Sequence, residues 1–142
     1  MGGLEVLYLQ MVHYQTMIDQ VKKFEREETC GLIAGVDQTS QAVYPVTNIL
    51  HSPVRYRMDP EQQLRVFNQI DENEWELLAI YHSHLQGPPG PSHMDVAEAA
   101  YPGVIHLIWS PSAGGWECNG FLIEKGLVTE VPIQIIDRDS VG

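Results

Sequence analysis

Two histidines one residue apart, His82-Ser83-His84, and an aspartate eleven positions later, Asp95, are the side chains in this sequence best placed to do chemistry together. In an extended strand, residues i and i+2 share a face. Their Cα atoms then lie about 6.6 Å apart, so two imidazoles can converge on one ion. The pair stands where an apolar run, Trp75 to His84, gives way to a glycine- and proline-rich loop, Leu85 to Pro91. Such strand ends expose functional groups on a rigid support. Asp95 falls in the first turn of a helix opened by Ser92, and the loop can fold that turn back beside the strand end. Two neutral imidazoles and one carboxylate leave a fourth tetrahedral position for water, which is the mark of a catalytic zinc site. Zinc lowers the pKa of such a water to about 7 and polarises a carbonyl.

A zinc hydrolase also needs a base that takes the water's proton and hands it to the leaving amine. Glu28 is the candidate, just ahead of the apolar run that starts at Cys30, with Gly31 permitting close backbone approach. The residue pattern alone does not separate Glu28 from Glu25 or Glu27. Plainer readings stand beside these. An H-x-H pair by itself is weak. Ser92-His93-Met94-Asp95 also fits a capping box, which accounts for Ser92 and Asp95 without a metal. The two readings are compatible, because a capped helix fixes its first-turn acid in place.

The surrounding elements must hold these groups. Leu4 to Leu9 reads as a mostly buried strand, and Met11, Tyr14, Met17, Ile18 and Val21 recur at helical steps up to Phe24. Cys30 to Gly35 and Ala42 to Val46 read as strands. Asp59-Pro60 supplies an N-cap and a proline at the first helical position, with Leu64, Phe67 and Ile70, and Val66 beside them, as the apolar face. Trp75 to His84 is a strand, and the helix from Ser92 ends before Pro102-Gly103. Val104 to Trp109, Gly120 to Glu124 and Val128 to Ile136 close the series as strands, and Arg138 to Gly142 is a tail expected to fray. Strands and helices mix without strict alternation, which predicts an α/β domain with helices against a mixed sheet.

The 142 residues suit one domain, spanning 1–142, and 44% hydrophobic content supports one core. The net charge is −11, from 19 acidic against 8 basic side chains. That balance argues against nucleic acid and anionic membranes as partners, since both demand a basic footprint. The start, Met1 to Glu5, lacks the basic and apolar regions of a signal peptide, and no apolar run approaches the ~20 residues of a spanning helix. Cys30 and Cys118 form neither a CxxC pair nor a disulfide framework. These features point to a cytoplasmic protein.

Glu28-Thr29-Cys30-Gly31, then His82-Ser83-His84, seven residues, Ser92, two residues, and Asp95 together resemble the JAMM (MPN-plus) metalloprotease family. The resemblance extends from about Leu4 to Ile136. It implies the MPN fold, which is cytidine-deaminase-like, with a mixed sheet flanked by helices. It implies one Zn²⁺ held by His82, His84 and Asp95, Glu28 as general acid/base, and Ser92 as oxyanion donor. Leu85 departs from the family, where proline often follows the second histidine. With the short chain, this suggests the compact prokaryotic members. The stretch Asn48 to Pro60, with Ser52-Pro53, Tyr56-Arg57 and Asp59-Pro60, is similar to the branch acting on sulfur-carrier proteins in cysteine biosynthesis.

The implied reaction is hydrolysis of the amide after the C-terminal Gly-Gly of a ubiquitin-like or sulfur-carrier protein. A glycine tail suits a narrow groove, and an extended tail can add to a free sheet edge. Tyr56, Arg57 and His93 are candidates for substrate contact, and His51 is a further groove candidate. Cys30 reads as a small buried residue, though strand parity with Glu28 would let it face the site. His106 and the three tryptophans read as packing residues. Two rivals use the same residues: a silent MPN scaffold, and a non-haem iron site with a two-histidine, one-carboxylate triad. A zinc deaminase is excluded by the absence of paired H-x-E and P-C-x-x-C motifs.

Overall fold

The strand that carries the histidines lies in the middle of the sheet. In the computed structural model, which describes residues 6–137, the chain runs β1 (Leu7–Gln10), α1 (Met11–Lys23), β2 (Cys30–Val36), β3 (Thr39–Val46), α2 (Pro60–Glu72), β4 (Glu76–Ser83), α3 (His93–Ala97), β5 (Ile105–Ser112), β6 (Gly115–Glu124), β7 (Leu127–Val131) and β8 (Ile133–Ile136). Leu4 and Glu5 of the first expected strand, and the tail Arg138 to Gly142, lie outside the described residues. The eight strands form one sheet in the order β7-β6-β5-β4-β2-β3-β1-β8. β4 pairs antiparallel with β2 and parallel with β5. The sheet is mixed and flanked by helices, as the sequence predicts.

Its two faces bury different clusters. Leu7, Leu9, Ile33, Tyr81, Leu107 and Trp109 pack with Met17 and Val21 of α1. On the other face Cys30, Leu32, Ala34 and Ile80 pack with Val66 and Ile70 of α2. Period-two alternation along β4 sends Tyr81 to the first face and Ile80 to the second. Gly31, opposite Tyr81 on β2, leaves room for that ring: a Cβ there would overlap its outer atoms. The Tyr81 hydroxyl donates to Gln20 Oε1 of α1 at 2.6 Å.

Several boundaries differ from expectation, each for a physical reason. Val128 to Ile136 is two strands, split at Pro132, which has no N–H for a ladder. β7 and β8 then stand at opposite ends of the strand order although one residue separates them, so the sheet curls until its two ends approach each other. Leu64 is 61% exposed, whereas Val66 and Ile70 are buried one helical turn apart. The inward stripe of α2 is therefore Val66–Ile70 with Phe67, and Leu64 sits off it. α2 starts as predicted, with Asp59 Oδ1 accepting from Glu61 N at 2.9 Å. The third helix covers five residues only and ends well before Pro102. Among the described residues, no helix is long and apolar enough to cross a membrane.

Candidate functional site

Beyond Ile80, the α2-facing side of β4 changes from apolar to polar. His82 is 1% exposed, and His84 lies just past the strand end, its N–H donating to Trp109 O at 2.8 Å. Their Nε2 atoms are 3.0 Å apart. Asp95 closes the group, with Oδ1 3.2 Å from His82 Nε2 and Oδ2 3.1 Å from His84 Nε2. The capping box holds Asp95 there: Asp95 N donates to Ser92 Oγ at 3.0 Å, and Ser92 N donates to Asp95 Oδ2 at 2.8 Å. The capping and site readings of Ser92-x-x-Asp95 therefore describe one arrangement. Ser92 Oγ accepts within the cap, and its own hydrogen is left to donate towards the cavity that Ser92 lines.

The ring nitrogens test whether a cation suits this place. His84 Nδ1 lies 2.8 Å from Pro88 O, and a carbonyl only accepts, so Nδ1 carries the hydrogen. In the neutral ring Nε2 is then a lone pair, and it faces a carboxylate oxygen and a second imidazole nitrogen. Three electron-pair donors all within 4.8 Å of one another repel unless a proton or a cation lies among them. Two imidazoles and a carboxylate are a zinc-type donor set. A backbone carbonyl on Nδ1 is a usual partner of a ligating histidine. The residues fit a divalent cation.

The same electrostatics set the protonation preferences of the three groups. Burial alone would raise the Asp95 carboxyl, but hydrogen bonds to His82 and His84 hold it well below the ordinary carboxylate range. Burial also pushes His82 down, outweighing the pull of Asp95. For His84 burial is opposed by the bonds to Asp95 and Pro88, which raise it on balance.

Sheet register singles out Glu28. Cys30 lies opposite His82. One step on, Thr29 N donates to Ser83 Oγ at 2.9 Å, and the next step sets Glu28 alongside His84. Glu28 is 6% exposed and lines the same cavity as His84, Ser92 and Asp95, whose volume is about 630 Å³. Burial lifts its carboxyl to about 7, with His84 opposing and Asp95 adding to the rise. Glu27, of opposite parity, turns away to His51 Nδ1 at 3.0 Å.

The loop between β3 and α2 builds the opposite wall. Tyr56 stacks on His82, with ring centroids 4.6 Å apart and planes at 24°. Arg55 lines the cavity, which the sequence did not single out. Arg57 and His93, exposed like Arg55, do not line it. The Tyr56 ring is turned in and its neighbour Arg57 out, while on α3 Met94 and Asp95 line the cavity and His93 does not. His51 lines a separate cavity of about 240 Å³. Cys30 is fully buried, its thiol 3.4 Å from Val46 O, and belongs to the core.

Asn48, also unforeseen, is 2% exposed and makes four hydrogen bonds. Its Nδ2 donates to Glu28 O and Arg55 O, both at 3.0 Å, and its Oδ1 accepts from Leu50 N and Arg57 N. It ties the segment bearing Glu28 to the loop bearing Arg55 and Tyr56. The sequence signal was slight: one asparagine where an apolar strand ends.

The pattern describing prokaryotic homologues of the JAB domain matches residues 11–121. The chain is 32% identical over 123 residues to a desampylase of Pyrococcus furiosus, covering 87% of this chain and 86% of that one. It is 28% identical over 140 residues to the CysO-cysteine peptidase of Mycobacterium tuberculosis, covering 96% of each. The solution structure of a protein from Desulfitobacterium hafniense superposes with a TM-score of 0.82 at 30% identity, over 92% of this chain and 93% of that one. Fold, matched length and relatives agree: the chain belongs to the family of prokaryotic homologues of the JAB domain, the compact prokaryotic JAMM/MPN type.

Proposed function

We propose that this chain is a zinc-dependent metallopeptidase that hydrolyses the amide bond after the C-terminal Gly-Gly of a ubiquitin-like or sulfur-carrier protein. The carrying observation is the convergence of His82, His84 and Asp95 donor atoms beside a cavity that His84, Asp95, Glu28 and Ser92 line. The named relatives, a desampylase and a CysO-cysteine peptidase, support the substrate class.

His82, His84 and Asp95 would hold one Zn²⁺. When bound, the ion acidifies water and polarises the scissile carbonyl. Glu28 takes the proton of the attacking water as its oxygen bonds to the glycine carbonyl carbon. A carboxyl lifted towards 7 suits a base that must also act as an acid. The Ser92 hydroxyl donates to the oxygen that becomes negative. As the C–N bond breaks, Glu28 passes its proton to the departing amine, so one water adds across the bond. Tyr56 holds the His82 ring in place, and Pro88 O fixes the His84 tautomer. Under the iron reading, Glu28 and Ser92 would line the cavity without a part to play.

A glycine tail would enter between the Leu85 to Pro88 loop and the Pro53 to Tyr56 loop, which line the cavity together with Glu28, Ser92 and Asp95. The expected pairing with a free sheet edge is not available at β4, which has β2 on one side and β5 on the other. A tail would lie between loops.

The test is cleavage of a sulfur-carrier protein extended past its Gly-Gly end, read by intact mass. A product ending at Gly-Gly, abolished by chelator and restored by Zn²⁺, is the expected result. Zinc-loaded protein that cuts none of a panel of such carriers would sink the proposal and favour a silent scaffold.

A further inference from the structure

The proposed reaction leaves open which amine departs, and the cavity offers a way to read it. Arg26 and Arg55 are the arginines among the described residues lining it, against Glu25, Glu28, Asp95 and Glu98. In a chain of net charge −11, a cation in the cavity invites an anionic ligand.

Arg55 is held on a particular side. Asn48 Nδ2 donates to the carbonyls of both Glu28 and Arg55, each at 3.0 Å. The two carbonyl oxygens therefore lie within twice 3.0 Å, about 6 Å, of each other. The Arg55 backbone thus stands beside the segment bearing Glu28, from which the departing amine collects its proton, and its side chain reaches along the same cavity to Glu98. Its present partner is weak: Nη2 is 3.9 Å from Glu98 Oε2, with the two side chains 51% and 61% exposed. A solvent-screened pair at that distance is easily exchanged for a better-fitting carboxylate.

The chemistry of the leaving group supplies that carboxylate in one case only. When the bond after Gly-Gly joins a single C-terminal amino acid, the nitrogen that Glu28 protonates and a free α-carboxylate sit on the same Cα. When it joins a lysine side chain of another protein, the nitrogen is at the far end of an alkyl stem with no carboxylate near it. Arginine offers a planar fork suited to bidentate carboxylate binding.

We propose that Arg55 is a specificity residue that receives the α-carboxylate of a single C-terminal amino acid, so that the enzyme prefers to release one amino acid rather than to cleave lysine-linked conjugates. This inference rests on the peptidase reading above, with Glu28 as proton donor to the leaving group.

The experiment uses a semisynthetic sulfur-carrier protein ending Gly-Gly-Ala, prepared as the free acid and as the primary amide. Alanine removes any thiol that would itself bind zinc. The wild-type, zinc-loaded enzyme is expected to cleave the acid with a kcat/KM about tenfold to a hundredfold above the amide, the scale of one charge-assisted contact. R55Q is expected to bring the acid down to the level of the amide, mainly through KM. R55K should recover part of the preference, since lysine keeps the charge and loses the fork. Equal cleavage of acid and amide by the wild type would overturn the inference. So would a preference that survives in R55Q, or one that is lost in R26Q and kept in R55Q. Cleavage of neither substrate would instead overturn the peptidase reading on which the inference stands.

Discussion

Strand β4 has two faces, and the contrast between them shows how a small sheet carries chemistry. Facing α1, Ala79 and Tyr81 are fully buried and continue into Leu107 and Trp109 on β5. Facing α2, Ile80 is core, but His82 two residues on is polar, buried and part of the donor group. Adjacent residues of one strand thus serve packing on one side and the site on the other. The core face fixes where β4 lies, and β4 fixes where His82 points. Mutations on the two faces should therefore separate stability from turnover.

The largest effects belong to the site face. His84→Ala removes one of three donors and is expected to lose both bound zinc and activity. Glu28→Gln keeps the donors and removes the base, so zinc content by mass spectrometry should match wild type while kcat falls about 10²–10⁴-fold. A Glu28→Gln enzyme that turns over at the wild-type rate would remove Glu28 from the mechanism and return the choice to the other acids lining the cavity.

On the core face, Trp109→Ala should cost about 3–5 kcal/mol of stability, seen as a fall in denaturant midpoint. Trp109 is fully buried and packs against Tyr14 at 5.1 Å between ring centroids. The fraction that remains folded should still bind zinc. Loss of zinc from well-folded Trp109→Ala protein would show that the faces are not separable.

Ser92→Ala spans the two classes. Losing an oxyanion donor typically costs 10²–10³ in kcat, and losing an N-cap about 1 kcal/mol. Ser92→Asp should restore the cap without the hydroxyl hydrogen, recovering stability but not rate. If Ser92→Asp recovers both, Ser92 serves only as a cap.

Much of this was legible in the sequence because it is local. H-x-H on a strand, S-x-x-D at the start of α3 and Asp59-Pro60 at the start of α2 are fixed by short-range geometry, and the structure places these residues as their spacing implies. What was not legible depends on partners far along the chain. Glu28 differs from Glu27 only through register with Ser83, 54 residues after Thr29. Asn48 draws its meaning from Glu28 and Arg55, and neither carbonyl is visible in a composition. Arg55 lines the cavity and Arg57 does not, and both belong to a loop, where no period-two rule assigns faces. Leu64 was misjudged for the opposite reason: its hydrophobicity suggested burial, but α2 had a better stripe in Val66–Ile70.

The smallest effect is also the sharpest test of how the fold treats Glu28. In metal-free protein, burial raises this carboxyl from its ordinary 4.5 to about 7. The fold therefore favours the protonated form. The resulting contribution to stability is fully present below about pH 4.5 and is lost as pH rises through about 7. Above that range the fold must hold a buried carboxylate, at a cost on the order of 1–3 kcal/mol after allowance for the open cavity. Glutamine has no such cost. With chelator present, Glu28→Gln should match wild type at pH 4.5 and be more stable at pH 8, because Asp95 stays ionised in the fold of both proteins over this range and the pull of Glu28 is the smallest of those acting on His84. A bound cation favours the ionised carboxylate, so zinc should shrink the difference at pH 8. A stability gap that is the same at both pH values would mean that Glu28 titrates normally in the fold. The site face would then owe nothing to burial at this position, and the difference between the faces of β4 would rest on the histidines and Asp95 alone.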